Sequence, residues 1–166
     1  MKRSVSLIGA VLVAVACNND ITGLGPPSDP TKETFAASLA VNISQMTKTP
    51  EGVFYRDLVM GSGAVVTDSA VSVNVTYAGF LKDGKLFDSK SNVLITLGGV
   101  VPGFRIGLLG MKEGGKRKVV IPSALGYGRF SQRLNPSSLE ITIPRQSTLI
   151  FDLEVVKVTN PAKPAT

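Results

Sequence analysis

The sequence contains no histidine, no tryptophan and a single cysteine, Cys17, among its 166 residues. Without histidine, neither a Ser-His-Asp triad nor a Cys-His pair can form, and a zinc site built on histidine or several thiolates is excluded as well. A single cysteine also excludes an intrachain disulfide. The sequence therefore predicts no metal and no other cofactor.

Strong charge of one sign is also missing. Eighteen Lys and Arg residues against twelve Asp and Glu give a formal net charge of +6, and the basic residues are spread out except at Lys116-Arg117-Lys118. Nucleic-acid binding needs a dense basic surface that neutralises phosphates. We therefore expect no nucleic-acid partner.

Long apolar runs are limited to the N-terminus. Lys2 and Arg3 precede the run from Val5 to Ala16, which stops at Cys17. About a dozen residues fall short of the ~20 that cross a bilayer as a helix. The pattern is typical of a secretory signal peptide over residues 1–16. A signal peptide that happens to end beside a cysteine remains an alternative reading.

The residues around Cys17 resemble a bacterial lipobox. Ala16 is small, Asn18-Asn19-Asp20 is polar, and Ala14 stands where leucine is more usual. The resemblance implies cleavage before Cys17 and attachment of lipid to it, and several acyl chains give stable anchoring. It predicts an exported protein, anchored to a bacterial membrane and facing the periplasm or the cell exterior.

The mature chain divides into four parts by composition. Residues 17–32 are rich in glycine and proline and predict a flexible tether. Residues 33–48 predict a short N-terminal helical segment, because Asp29-Pro30 is a plausible helix start and apolar residues follow. The folded domain is expected over residues 49–158, and residues 159–166 are expected to be a disordered tail.

Alternation of apolar and polar side chains predicts most of the strands. It is clearest from Val71 to Tyr77 and from Leu149 to Val156. Further strands are expected at Phe54–Val59, Val93–Leu97 and Lys116–Ile121.

One segment has helical spacing instead. Val101, Phe104 and Leu108 recur at three and four residues, although the glycines among them weaken a helix. Strands flanking one short helix, without a βαβ repeat, indicate an α+β fold with an antiparallel sheet.

Two motifs resemble binding or catalytic motifs, but a purely structural role explains each of them better. Residues 110–116 read G-x-x-x-x-G-K, yet Arg117 replaces the Ser or Thr of a phosphate-binding loop. The segment also runs from the predicted helix into a strand, the reverse of that motif. Asp83-Gly84 is a turn sequence, so Asp83 is not expected to pair with Asp88 as a hydrolytic carboxylate.

From Val53 to Val158 the chain resembles the FKBP family of peptidyl-prolyl cis-trans isomerases. The matching stretches are Val75–Gly79, Lys82–Ser89, Leu97-Gly98, Val100–Phe104, Gly110–Arg117, Ile121-Pro122, Leu125–Gly128, Ile143-Pro144 and Thr148–Asp152. The resemblance implies a five- or six-stranded antiparallel sheet wrapped around one short helix, with a shallow apolar pocket for a proline ring between them.

The resemblance also implies the residues of that pocket. Those carried over as catalytic are Tyr77, Phe87, Asp88, Val101, Phe104, Tyr127 and Phe151, and those carried over as substrate-binding are Val100 and Ile143. Phe104 stands where many relatives have tryptophan. For Asp88, a turn or surface acid is an equal alternative, because the arginine that commonly pairs with it is missing and Lys90 is the nearest cation.

The implied activity is isomerisation of Xaa-Pro bonds, by desolvation and twisting of the amide, to assist the folding of exported proteins. The implied partners are proline-containing polypeptides and macrolide inhibitors. The loop from Arg129 to Thr142 is longer than is usual in the family, so it puts macrolide binding and substrate preference in question. With Phe130 and Leu134 it also favours an alternative, a non-catalytic chaperone or peptide-binding lipoprotein on the same fold. A third reading is a structural lipoprotein without a ligand.

Overall fold

The computed structural model describes residues 25–67, 72–134 and 142–159. Six strands form one antiparallel sheet in the order β1-β2-β5-β6-β3-β4. Their bounds are Thr47–Lys48 (β1), Phe54–Val59 (β2), Ser72–Leu81 (β3), Leu86–Thr96 (β4), Lys116–Ile121 (β5) and Leu149–Thr159 (β6). Among the described residues there is one α-helix, α1 (Pro102–Leu108). The predicted α+β architecture is confirmed.

Helix α1 packs on one face of the sheet, where most of the apolar core lies. Two helical glycines make the close approach possible. A Cβ on Gly107 would lie 2.8 Å from a methyl of Val119, and one on Gly103 would overlap Ile121. The same glycines that weaken the helix in isolation therefore let it sit directly on β5.

Arg117 fastens the end of α1 to the sheet. Its guanidinium makes two hydrogen bonds to the carboxylate of Asp57, at 2.7 and 3.2 Å, and donates to the carbonyls of Gly107 and Leu109. It also lies 4.2 Å from the ring centre of Tyr55. These partners satisfy both the buried charge and carbonyls that the helix leaves open at its C-terminus.

The other two charges of the basic triplet are also paired. Lys116 lies 3.2 Å from Glu154, and Lys118, which is almost fully buried, bonds to Asp152. All three charges of the only dense basic run in the sequence are therefore engaged in ion pairs with carboxylates of the neighbouring strands.

The other face of the sheet, which we call the outer face, is covered by the N-terminal segment. Leu39 packs there against Phe54, Val120 and Ile150, with Phe35 beside them. The predicted helical segment over residues 33–48 is wrong as a continuous helix. The chain forms separate 3₁₀ turns at Pro30–Lys32, Ala37–Leu39 and Ile43–Gln45, followed by β1.

The physical reason for this difference is local. Ala40 has φ = 48°, which ends the second turn, and the Asn42 side chain accepts from the Ser44 amide, which starts the third. The apolar residues are satisfied by contact with the sheet rather than by a helical face. Near the N-terminus of the described part Pro30 is buried, so the predicted tether is at least in this portion packed against the domain.

Strand β4 forms one edge of the sheet and is interrupted by a bulge. The register with β3 shifts between Val75 and Tyr77, and Asn92 has φ = 47° at that point. The Asn92 amide donates to the hydroxyl of Thr76, and its side chain accepts from Asn74. The bulge is thus held by side chains of the neighbouring strand.

Several predictions fall outside the described residues: the signal peptide, Cys17 with its lipid, the first half of the tether (residues 17–24), the tail from residue 160, and residues 135–141 of the long loop. Within the described ranges, no helix is long and apolar enough to cross a membrane. In the same part of the chain, no cluster of three acidic or cysteine side chains could hold a metal ion.

Candidate active site

A small open cavity of about 110 Å³ lies between the start of α1, strands β3, β4 and β6, and the segment after β5. The sheet supplies its back wall and the start of the helix supplies its floor. Its lining residues are Tyr77, Phe87, Asp88, Ile95, Val100, Val101, Phe104, Tyr127, Leu134 and Phe151.

Four aromatic rings meet at this cavity, arranged edge to face around Phe151. Its ring centre is 4.9 Å from that of Phe104, 5.5 Å from that of Phe87 and 6.1 Å from that of Tyr77. The ring centre of Tyr77 is also 5.6 Å from that of Phe104, and the two ring planes make an angle of 80°. Perpendicular pairs at these distances are the favoured aromatic geometry, so the rings form a stiff apolar wall.

Gly79 on β3 allows two of these rings to reach the sheet. A Cβ at this position would come within 2.6 Å of the Phe87 ring and 2.7 Å of the Phe151 ring. Any larger residue would push both rings outward. The shape of the wall therefore depends on a position that carries no side chain.

Asp88 is the acidic group of the cavity, and its partner is a phenol. The Tyr77 hydroxyl donates to Asp88 Oδ2 at 2.6 Å, across the β3–β4 pair. Burial, and then this bond and the carboxylate charge, raise the pKa of Tyr77 well above its usual range. No described cation forms an ion pair with Asp88, and its place in the cavity favours the pocket role over a plain surface acid.

Tyr127 stands on the opposite side, after the 3₁₀ turn at Ser123–Leu125. Burial raises the pKa of Tyr127, and the charge of Asp88 adds to the effect. Its phenol therefore stays protonated across the physiological range and can donate a hydrogen bond. Within the described residues that hydroxyl has no hydrogen-bond partner, so it is available to a ligand.

Val101 precedes the first residue of α1 and lies on the cavity floor. Its carbonyl accepts from the amides of Phe104 and Arg105, which begins the helix. Its own amide has no partner in the part of the chain that the structure describes. Val101 therefore presents an open N–H beside the aromatic wall.

Eight of the nine residues that the resemblance places in the pocket line this one cavity. Ile143 does not. It is fully buried among the core residues, and its backbone exchanges hydrogen bonds with Gln132, so it presents no open surface to a substrate. The prediction that Ile143 binds substrate directly is therefore not met in this structure.

Two lining residues were not assigned to the pocket from the sequence. Ile95 alternates with Val93 along β4, a signal that could have identified it. Leu134 belongs to the long loop and was considered only as a docking residue. Its position is set by the Gln132–Ile143 bridge and by a bond from its amide to the Thr142 hydroxyl, neither of which a sequence pattern reveals.

Two larger cavities, of about 290 and 240 Å³, lie elsewhere. The first is bounded mainly by polar residues of the β3–β4 turn and of the segment before β6, and the second lies on the outer face of the sheet near Thr76 and Glu154. Neither has an aromatic wall around it. Chemistry rather than volume therefore identifies the candidate site.

Comparison with known proteins gives the same assignment. Residues 63–156 match the family model described as FKBP-type peptidyl-prolyl cis-trans isomerase. The chain is 38% identical over 131 residues to the isomerase FkpA of Escherichia coli (strain K12), covering 76% of this chain and 43% of that protein. It is 39% identical over 113 residues to an FK506-binding protein of Neisseria meningitidis, covering 64% of this chain and 96% of that one.

Solved structures agree. The crystal structure of FkpA from Escherichia coli superposes with a TM-score of 0.61 at 34% identity, covering 76% of this chain and 56% of that one. AtFKBP13 superposes with a TM-score of 0.60 at 29% identity, covering 69% and 99%. The chain spans only 30% of a 41% identical FK506-binding protein 4 of Dictyostelium discoideum. This chain belongs to the family of FKBP-type peptidyl-prolyl cis-trans isomerases.

Proposed function

We propose that this protein catalyses the cis–trans isomerisation of Xaa-Pro peptide bonds in polypeptides. The observation that carries the proposal is the wall of four aromatic rings around a small open cavity with two protonated phenols at its edges. Such a site suits a proline ring, which is apolar and compact. It offers no nucleophile with an activating base, and this reaction needs none.

The reaction makes and breaks no covalent bond. Its barrier, about 18 to 20 kcal/mol, arises because rotation about the C–N bond destroys amide resonance. The twisted amide has less charge separation than the planar one, so an apolar site with little water favours it over the ground state. The faces of Phe87, Phe104 and Phe151 provide these surroundings.

The chain beside the proline must be held while the amide rotates. The open N–H of Val101 and the free hydroxyl of Tyr127 are suitable donors to substrate carbonyls on two sides of the ring pocket. Tyr77 is bonded to Asp88, which fixes the orientation of both groups in the cavity wall. One side of the amide is thus immobilised while the other rotates.

The proposal extends to location and clients. We infer from the leader that the protein is exported and lipid-anchored through Cys17, and that it assists the folding of exported proteins, since uncatalysed exchange takes tens to hundreds of seconds. Replacing Cys17 with Ala should abolish incorporation of radiolabelled palmitate and release the protein from membranes. Continued labelling would contradict the inference.

Macrolide binding is a related proposal. Some relatives carry the name FK506-binding protein, and the apolar cavity suits such a ligand. Leu134 narrows its rim, so we expect weaker binding by this chain than by its Leu134→Gly variant, measured by calorimetry with FK506.

A second candidate function is a chaperone that holds apolar segments without catalysis. The observation that favours it is the exposure of Phe130, 64%, and of Leu134, 42%, on the loop at the rim. Such exposed apolar groups beside a cavity suit the holding of unfolded chains. The intact aromatic wall favours the enzyme.

The test is the isomerisation rate of a short Xaa-Pro peptide with purified residues 18–166. We expect acceleration above background by the wild type and its loss in a Tyr127→Phe, Phe151→Ala double variant. Tyr55→Phe is the matched control, because Tyr55 lies beneath Arg117 and outside the cavity. A folded wild type that gives no acceleration but suppresses aggregation of an unfolded client would favour the chaperone instead.

A further inference from the structure

The segment before the first 3₁₀ turn, residues 25–29, is bonded to the turn that carries Tyr127. Ser28 and Ser123 exchange hydrogen bonds in both directions: the Ser28 amide donates to Ser123 Oγ at 2.8 Å, and the Ser123 amide donates to Ser28 Oγ at 2.7 Å. Ser123 is fully buried. The Ser28 hydroxyl oxygen therefore accepts a hydrogen bond from the buried Ser123 amide at the start of a 3₁₀ turn. Without Ser28, that amide would need a water molecule as its partner.

Gln146 completes this contact from a third part of the chain. The Ser123 hydroxyl donates to Gln146 Oε1 at 3.0 Å, and Gln146 Nε2 donates to the carbonyl of Gly25 at 3.4 Å. Gln146 has φ = 57°, an unfavourable conformation for a residue other than glycine. Such a conformation persists when several bonds fix it, and here its backbone amide and its side chain are both bonded.

These same residues hold the backbone on both sides of Tyr127. The Ser123 carbonyl accepts from the amides of Gly126 and Gly128, at 3.0 and 2.8 Å. The Gly128 carbonyl in turn accepts from the Gln146 amide at 2.7 Å. Tyr127 therefore stands on a short loop whose two ends are bonded to Ser123 and Gln146.

The hydroxyl of Tyr127 has no partner of its own in the described part of the chain. Its place at the cavity is therefore set by the backbone that carries it, with its flanking residues both glycine. Glycine leaves that backbone free to move unless other bonds restrict it. The hydrogen bonds that restrict it come from Ser123 and Gln146, and Ser123 is in turn hydrogen-bonded to Ser28.

We propose that Ser28 is a positioning residue of the isomerase, which acts through Ser123 and Gln146 to hold the Tyr127 hydroxyl in the substrate cavity. The segment that composition assigns to a tether is then part of the catalytic unit. The inference rests on the proposed function for its effect on rate, but its structural part can be tested without any activity.

The structural test is tyrosine NMR on the full chain. The sequence has three tyrosines, so ¹³Cζ labelling gives three resonances that Tyr→Phe variants assign. In Ser28→Ala we expect the Tyr127 resonance to shift or broaden and its titration to move toward that of a free phenol, because its burial becomes incomplete. The Tyr55 resonance should stay in place. Ser28→Thr, which keeps the hydroxyl, should restore the wild-type spectrum.

The functional test is a double-mutant cycle with the Xaa-Pro peptide. We expect Ser28→Ala to lower kcat/KM about three- to tenfold, as for loss of one hydrogen bond. In a Tyr127→Phe background the same change should have little further effect, because no hydroxyl remains to be positioned. Ser44→Ala is the matched control, since its hydroxyl bonds only within its own turn, to Asn42.

An unchanged Tyr127 resonance in Ser28→Ala would overturn the proposal, whatever the activity. Equal losses of rate in the wild-type and Tyr127→Phe backgrounds would overturn it too, because Ser28 would then act independently of Tyr127. If the wild type has no isomerase activity but the Tyr127 resonance responds to Ser28, the proposed function fails and the positioning contact stands.

Discussion

The two faces of the sheet are buried by different means. On one face, α1 packs over Val119, Ile121 and Phe151, and of these three Phe151 also lines the candidate active site. On the other face, an irregular segment with three 3₁₀ turns covers Phe54, Val120 and Ile150. A regular helix therefore covers the face that carries the site, whereas an irregular segment is enough on the outer face, where apolar side chains only need to be buried.

The largest expected effect is on the helix side. Phe151→Ala removes the central ring of the aromatic wall, so it should lower the free energy of unfolding by about 3 to 5 kcal/mol and also reduce kcat/KM at temperatures where the variant is folded. Urea unfolding and the peptide assay measure the two quantities. A destabilised variant with full activity would show that core and site are separable on this face.

A smaller effect is expected on the outer face. Leu39 is buried among Phe54, Val120 and Ile150, so Leu39→Ala should lower the free energy of unfolding by about 2 to 3 kcal/mol. Because none of these residues lines the cavity, KM and kcat of the folded variant should equal those of the wild type. A raised KM at unchanged fold would mean that the outer face also shapes the pocket.

The smallest expected effect is that of pH. The chain has no histidine, and the pKa values of Tyr77 and Tyr127 are both raised, so kcat/KM should be level from about pH 6 to about pH 9. A raised pKa means that the neutral phenols stabilise the fold below about pH 10 and that this contribution is lost as the pH rises through the folded-state values. A pH–rate profile with an inflection near neutrality would contradict the assignment.

Sequence patterns predicted the helix side better than the outer side. The bounds of β2 and β5 match the predicted ranges, and α1 follows from the spacing of Phe104 and Leu108, although Val101 occupies the N-cap position rather than lying within the helix. The part of β4 from Leu86 to Asn92 was not predicted as a strand. This part of β4 lies at the sheet edge, where polar residues such as Ser89 and Lys90 face solvent. In the sequence, a run of such residues cannot be distinguished from a loop.

The N-terminal segment was misjudged for a related reason. Phe35, Leu39 and Val41 fit a helical face, but the same spacing also fits turns that place each apolar side chain on a sheet. For the site, the family resemblance located the aromatic wall, since its residues lie within the stretches of sequence that match the family. It could not locate Leu134 or the bonds of Ser28, because these depend on contacts between distant parts of this particular chain.

The bulge at Asn92 has a consequence for association between molecules. An eleven-residue edge strand is long enough to pair with the edge of a second copy, which is a common route to aggregation. Asn92, with its left-handed backbone fixed by Thr76 and Asn74, divides β4 into two short stretches that cannot extend a common ladder. We therefore expect this edge to pair poorly with that of a second copy, although an open pocket lies beside it.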